Sequence, residues 1–127
     1  MKHSQSIKVM EKLKTRIIKL IDKYNNIISV DIIKDFPDGQ YYMVGSKAEF
    51  NKLKNQINVL FDRYLSHSRL TEDNIVTLYG QLYKLIDKAE VNIQYKVLPQ
   101  GYDYYGITEE LEILKEEIYK KFKNLKF

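Results

Sequence analysis

The chain contains no cysteine. That excludes disulfides, thiolate nucleophiles and cysteine-ligated zinc, and it fits a reducing cytoplasm. Histidine is almost as scarce. His3 stands near the start and His67 in a polar stretch, each without a second catalytic partner nearby in sequence. There is no G-x-S-x-G elbow, no H-E-x-x-H pair and no glycine–lysine phosphate loop. No apolar run approaches the roughly 18–20 residues of a membrane span. The start, Met1-Lys2-His3-Ser4-Gln5-Ser6, has no apolar signal core. Arginine is sparse too: of the 21 basic residues only Arg16, Arg63 and Arg69 are arginine, and the rest are lysine. Lysine attracts phosphate as a point charge, whereas arginine's fork reads bases, so this composition does not favour sequence-specific DNA recognition.

Metal ligands would have to be carboxylates. Asp31, Asp35 and Asp38 gather in one stretch, but the regular oxygen spacing and terminal glutamate of a calcium loop are missing. These gaps lead to the expectation of a chain that is not an enzyme, with no catalytic residue, no metal and no cofactor.

What is present is a soluble globular composition. Of 127 residues, 44% are hydrophobic and 30% charged, with a net charge of +4. The length fits one domain, 1–127. Lys and Ile are the commonest residues, and like the frequent Tyr and Asn they are encoded by A/T-rich codons. That points to a low-GC bacterium, its phage or a mobile element.

The most informative pattern is a doubled one. Lys19-Leu20-Ile21-Asp22-Lys23 recurs as Lys84-Leu85-Ile86-Asp87-Lys88. Each copy is followed by a β-branched and aromatic stretch and then a proline–x–glycine turn, Pro37-Asp38-Gly39 and Pro99-Gln100-Gly101. A tyrosine-rich stretch and a hydroxyl residue follow each turn, Ser46 in the first and Thr108 in the second. This reads as one unit used twice, with halves of about 7–65 and 71–126.

Met10, Leu13, Ile17, Leu20, Ile21 and Tyr24 recur at three- and four-residue spacing, which predicts a helix over 7–24 stopped by Asn25-Asn26. Ile28, Val30, Ile32 and Phe36 alternate with polar residues as a strand would. Gln40–Val44 reads as the returning strand of a β-hairpin. Ser46-Lys47-Ala48-Glu49 reads as a capping box opening a helix that turns Phe50, Leu53, Ile57, Leu60, Phe61 and Tyr64 inward. Thr71 caps a third helix with Ile75, Leu78, Tyr79, Leu82, Ile86 and Ala89 inward. Val91, Ile93, Tyr95 and Val97 alternate as a third strand and Tyr102–Tyr105 forms a fourth. Thr108 caps a last helix carrying Leu111, Leu114, Ile118, Phe122 and Leu125 inward. The predicted fold class is α+β: tandem helix–β-hairpin–helix units, αββα–αββα, sharing one core. The hairpins would form a four-stranded antiparallel sheet with helices packed on it.

The stretch Tyr102-Asp103-Tyr104-Tyr105-Gly106-Ile107-Thr108-Glu109-Glu110-Leu111 resembles the wing and final helix of winged-helix regulators. With its preceding strand it covers about a quarter of the chain. The resemblance implies a DNA-contacting wing. The helix before it is long for a recognition helix and poor in basic residues, and no family membership follows.

Two surfaces are candidates for function. Tyr41, Tyr42, Tyr95, Tyr102, Tyr104 and Tyr105 lie in or beside the expected hairpins. Neighbouring strand residues face opposite ways, so some of these rings must be exposed, where tyrosine anchors protein interfaces. Lys8, Lys12, Arg16, Lys19 and Lys23 line one side of the first helix, where they could follow a phosphate backbone, although Glu11 and Asp22 interrupt them in sequence. The expected function is a small cytoplasmic binding protein that docks on another protein. An inhibitor, immunity protein or regulatory accessory factor of a phage or mobile element would fit. The alternative is nucleic-acid binding through the first helix and the tyrosines. A homodimer remains open and no membrane association is expected.

Overall fold

A computed structural model of the chain describes residues 3–66, 70–99 and 105–125. The described residues form four α-helices and no strand: α1 (His3–Asp35), α2 (Gly39–Leu65), α3 (Glu72–Asn92) and α4 (Tyr105–Lys123). A π-helical turn, Ile93–Val97, extends α3. The α+β expectation is therefore wrong, and the fold is all-α. Helix replaces the expected first hairpin, and the end of α3 with its π turn replaces the expected third strand; residues 102–104 of the expected fourth strand lie outside the described residues.

Ion pairs give the direction of the helices. Lys14 on α1 meets Asp62 on α2 at 3.2 Å, and Asp22 further along α1 meets Lys54 further back on α2 at 2.8 Å. α1 and α2 are thus antiparallel. Tyr64 Oη donates to Gln81 Oε1 at 3.0 Å and Asn92 Nδ2 to Glu49 Oε2 at 3.2 Å, so α2 and α3 are antiparallel as well. The Tyr79 ring packs on Phe122 at 5.2 Å, while Asp87, a little over two turns later on α3, pairs with Lys115 earlier on α4. Contacts join α1 to α2, α2 to α3, α3 to α4 and α4 to α1. The result is an up-down-up-down four-helix bundle.

One repeating stripe builds the core. On α1, Met10, Leu13, Ile17, Ile21, Tyr24, Ile28, Ile32 and Phe36 (just past its end) are buried at spacings of three and four. The stripe runs unbroken through Asn25-Asn26, which stops nothing. Asn25 instead accepts a hydrogen bond from the Ser29 hydroxyl within the helix. Ile28 and Ile32 satisfy a strand's period and a helix's i, i+4 step equally well. Val30 separates the two, since a strand would bury it beside Ile28, and it is 49% exposed. The inward residues predicted for α2 are all buried: Phe50, Leu53, Ile57, Leu60, Phe61 and Tyr64. So are Ile75, Leu78, Leu82, Ile86 and Ala89 on α3 and Leu111, Leu114 and Ile118 on α4. Leu20, Tyr79, Phe122 and Leu125 pack against this core while partly exposed.

The connection Phe36-Pro37-Asp38-Gly39 is a helix–helix corner. Gly39 N donates to the Phe36 carbonyl at 3.1 Å. A Cβ on Gly39 would lie 2.6 Å from Ile33 Cα and 2.7 Å from the Ile32 carbonyl oxygen, so only glycine lets α2 start this close to α1. Ser46 therefore sits inside α2, fully buried, and its Oγ has no hydrogen-bond partner. The expected cap at Ser46 does not exist. The cap at Thr71 does: its side chain accepts from Asn74 N at 3.2 Å and Asn74 Oδ1 accepts from Thr71 N at 3.2 Å. At the far end of α3, Leu98 N bonds the Ile93 carbonyl at 2.9 Å, five residues back. Pro99 disfavours a helical residue before it, and Leu98 is extended accordingly. The wider π turn lets Leu98 bury its side chain while the chain leaves the helix.

Candidate functional site

The expected tyrosine surface is only partly assembled. Tyr41 lies in the first turns of α2 and is 77% exposed; Tyr95 lies in the π turn and is 74% exposed. Tyr42 is half-buried, its ring 5.4 Å from Phe36, so it belongs to the packing at the α1–α2 corner. Tyr105 opens α4 instead of closing a strand. Tyr102 and Tyr104 lie outside the described residues, as do Gln100, Gly101 and His67. Tyr41, Val44 and Gly45 line one depression together with Lys96 and Val97. What seats the π turn there is Gly45: a Cβ at that position would meet Val97 Cγ1 at 2.8 Å. Two segments more than fifty residues apart in sequence thus present exposed tyrosines at one end of the bundle.

The basic face of α1 is formed as the sequence implies, with one difference. Lys8, Lys12, Arg16, Lys19 and Lys23 are all exposed and fall within about 80° of one another on the helix. Asp22 does not break this stripe, because its carboxylate is turned to Lys54 on α2. Glu11 is exposed at the stripe's edge. Lys23 reaches Glu117 on α4 at 3.9 Å; the other four have no ion pair among the described residues.

A third feature has no counterpart in the sequence reading. Along α2 and α3 runs an open groove of about 860 Å³. Ala48, Val59, Leu60 and Leu85 supply apolar surface, with Val59 61% exposed. Lys52 and Arg63 on α2 and Lys84 on α3 supply positive charge, and Asn51, Asn55, Gln56 and Gln81 supply amides. Among the described residues, no carboxylate lines the groove and none of the three cations is ion-paired. No short motif could have signalled it, since its two walls come from separate helices and each wall alone reads as a solvated face.

The strongest charge cluster is structural in form. Lys115 on α4 is only 6% exposed and its Nζ contacts Asp87, Glu90 and Glu112. Burial alone would lower its pKa, but hydrogen bonds to Asp87 and Glu112 and the nearby charges outweigh that and hold it above the ordinary lysine range. The Tyr83 ring lies 4.9 Å from the same Nζ. The cation is fully employed in tying α3 to α4. Among the described residues no group of three His, Asp or Glu side chains is placed to hold a metal ion. No described helix is long and apolar enough to cross a membrane. No family model, curated protein or solved structure matches the chain, so the local likeness to winged-helix regulators has no wider support.

Proposed function

We propose that this chain is a non-enzymatic binding protein that acts by docking on another protein. The observation that carries the reading is the exposed Tyr41, which lines a depression with Val44, Lys96 and Val97 at one bundle end, while Tyr95 stands exposed on the same π turn. A rigid helical frame that leaves large amphipathic rings in water offers contact area at little entropic cost on binding. The composition fits a cytoplasmic accessory factor of a phage or mobile element in a low-GC bacterium, acting as an inhibitor, immunity protein or regulator. The test is capture from such a host with a photo-crosslinking residue in place of Tyr41. Changing Tyr41 and Tyr95 together to alanine should weaken capture by about tenfold or more with the helical spectrum unchanged. Equal capture by the double variant removes this surface.

A second reading, nucleic-acid binding through α1, is supported by the pairing of Asp22 with Lys54. That pairing leaves the stripe of Lys8, Lys12, Arg16, Lys19 and Lys23 without an acid inside it. Such binding would be independent of base sequence and would weaken steeply with salt. Fluorescence anisotropy with generic DNA and RNA decides it: absence of binding at low salt ends this reading.

A further inference from the structure

We propose that the groove between α2 and α3 is a second docking site, and that its occupant is an acidic amphipathic helix of a partner protein. The inference rests on the protein-docking reading but uses none of the tyrosine end. Four features of the groove select this occupant.

The first is shape. The groove lies along α2 from Ala48 to Arg63, and one turn of α3, Gln81 to Leu85, forms its other wall. At 1.5 Å per residue the α2 wall is about 22 Å, the length of roughly four helical turns. The furrow between two packed helices accepts a third by the same ridge-and-groove fit that joins the first two.

The second is the apolar surface. Val59 stands 61% exposed, with Leu60 and Leu85 beside it and Ala48 small enough to leave room. Leu85 belongs to the repeated pentapeptide, where it falls on the partly exposed side of α3. An apolar stripe at i, i+3, i+4 and i+7 on an incoming helix would remove this surface from water.

The third is charge. Lys52, Arg63 and Lys84 border the apolar surface from both walls with no carboxylate among the lining residues. Three cations without acids are complementary to glutamates and aspartates flanking the partner's apolar stripe. Asn51, Asn55 and Gln56 add donors that carboxylates accept. Gln81 is oriented by Tyr64, whose Oη donates to its Oε1, leaving the amide N–H groups for a ligand.

The fourth feature sets this occupant against its competitors. A second copy of the chain docked face to face through this groove would oppose the same three cations to themselves. A nucleic-acid strand would use the cations, but no aromatic ring lines the groove to stack a base, and the apolar floor would gain nothing from phosphate.

The probe is a synthetic fluorescein-labelled peptide of about 18 residues with leucines at i, i+3, i+4 and i+7 and glutamates elsewhere. Its controls are a scrambled peptide of equal composition, a version with lysine replacing glutamate, and single-stranded oligo-dT. Anisotropy with the intact chain should give a Kd below about 100 µM for the acidic peptide and at least about tenfold weaker binding for each control. Lys52→Glu combined with Lys84→Glu should weaken the peptide by about tenfold or more, and Val59→Asp likewise. All three positions are exposed, so the variants keep their helical spectrum. Changing Tyr41 and Tyr95 to alanine should leave peptide binding unchanged. No binding up to about 1 mM, equal binding of the scrambled peptide, or binding that survives the groove variants overturns the inference. Oligo-dT binding more tightly than the peptide overturns it in favour of a nucleic-acid surface. Peptide binding lost only in the tyrosine variant overturns the groove while leaving protein docking at the other site intact.

Discussion

Three glycines within helices show how differently one residue type is used. Gly39 is required by contact, because an added Cβ would strike the backbone of Ile32 and Ile33, which cannot step aside. Gly45 is required by a stiff β-branched neighbour, Val97. Gly80 is required by neither, as an added Cβ there meets nothing within 4 Å. A close helix crossing would have explained Gly80, and there is none at that point. Gly80→Ala should therefore stabilise the protein by up to about 1 kcal/mol, the helix-propensity difference. Gly39→Ala should cost about 1–3 kcal/mol, as overpacking against a fixed neighbour does. Urea midpoints of the two variants check the pair; a destabilised Gly80→Ala would show that the open space is not open.

Helices in this chain are decided by whole stripes more than by terminal signals. Ser46-Lys47-Ala48-Glu49 has the residues of a capping box, yet α2 starts seven residues earlier, at Gly39. A true serine cap would lose about 1 kcal/mol on replacement by alanine. Ser46 is a buried helix-interior hydroxyl with no partner, so Ser46→Ala should be neutral or stabilising by up to about 1 kcal/mol. Thermal unfolding of the variant reads the sign, and a loss of 1 kcal/mol or more contradicts this view of the α2 terminus. The repeated pentapeptide also gains a role at this scale. Asp22 on α1 reaches Lys54 on α2, and Asp87 on α3 reaches Lys115 on α4. The same position of the repeat ties each helix to the next. The surroundings differ, since Lys115 is buried among three carboxylates whereas the Asp22–Lys54 pair is partly exposed to solvent, which screens it.

At the scale of the bundle, packing between α1 and α4 gives stability an alkaline limit. Tyr24 on α1 is 3% exposed and lies against the Glu117 carboxylate on α4. Burial first, and Glu117 second, push its phenol up to about 12. A folded-state pKa above the unfolded value near 10 gives stabilisation that is complete below about pH 10 and lost as pH climbs through 12. Urea unfolding should thus weaken over that window, and Tyr24→Phe should flatten the decline. If variant and parent lose stability in parallel, the loss lies in the lysines instead.

The amino-acid sequence by itself determined which residues face inward. The stripes from Met10 to Tyr24, Phe50 to Tyr64, Ile75 to Ala89 and Leu111 to Ile118 were legible because burial at i, i+3 and i+4 leaves a long, regular trace. The Thr71 cap was legible because its partners lie within one turn. The tertiary structure alone decided whether 27–36, 40–44 and 91–97 were strand or helix. Those stretches are β-branched and aromatic, and such propensities are worth only tenths of a kcal/mol per residue. Continuing an existing helix along a partner with a matching stripe outweighs them. The same reason hid the α2–α3 groove, whose walls lie on separate helices and become one surface only when the bundle closes.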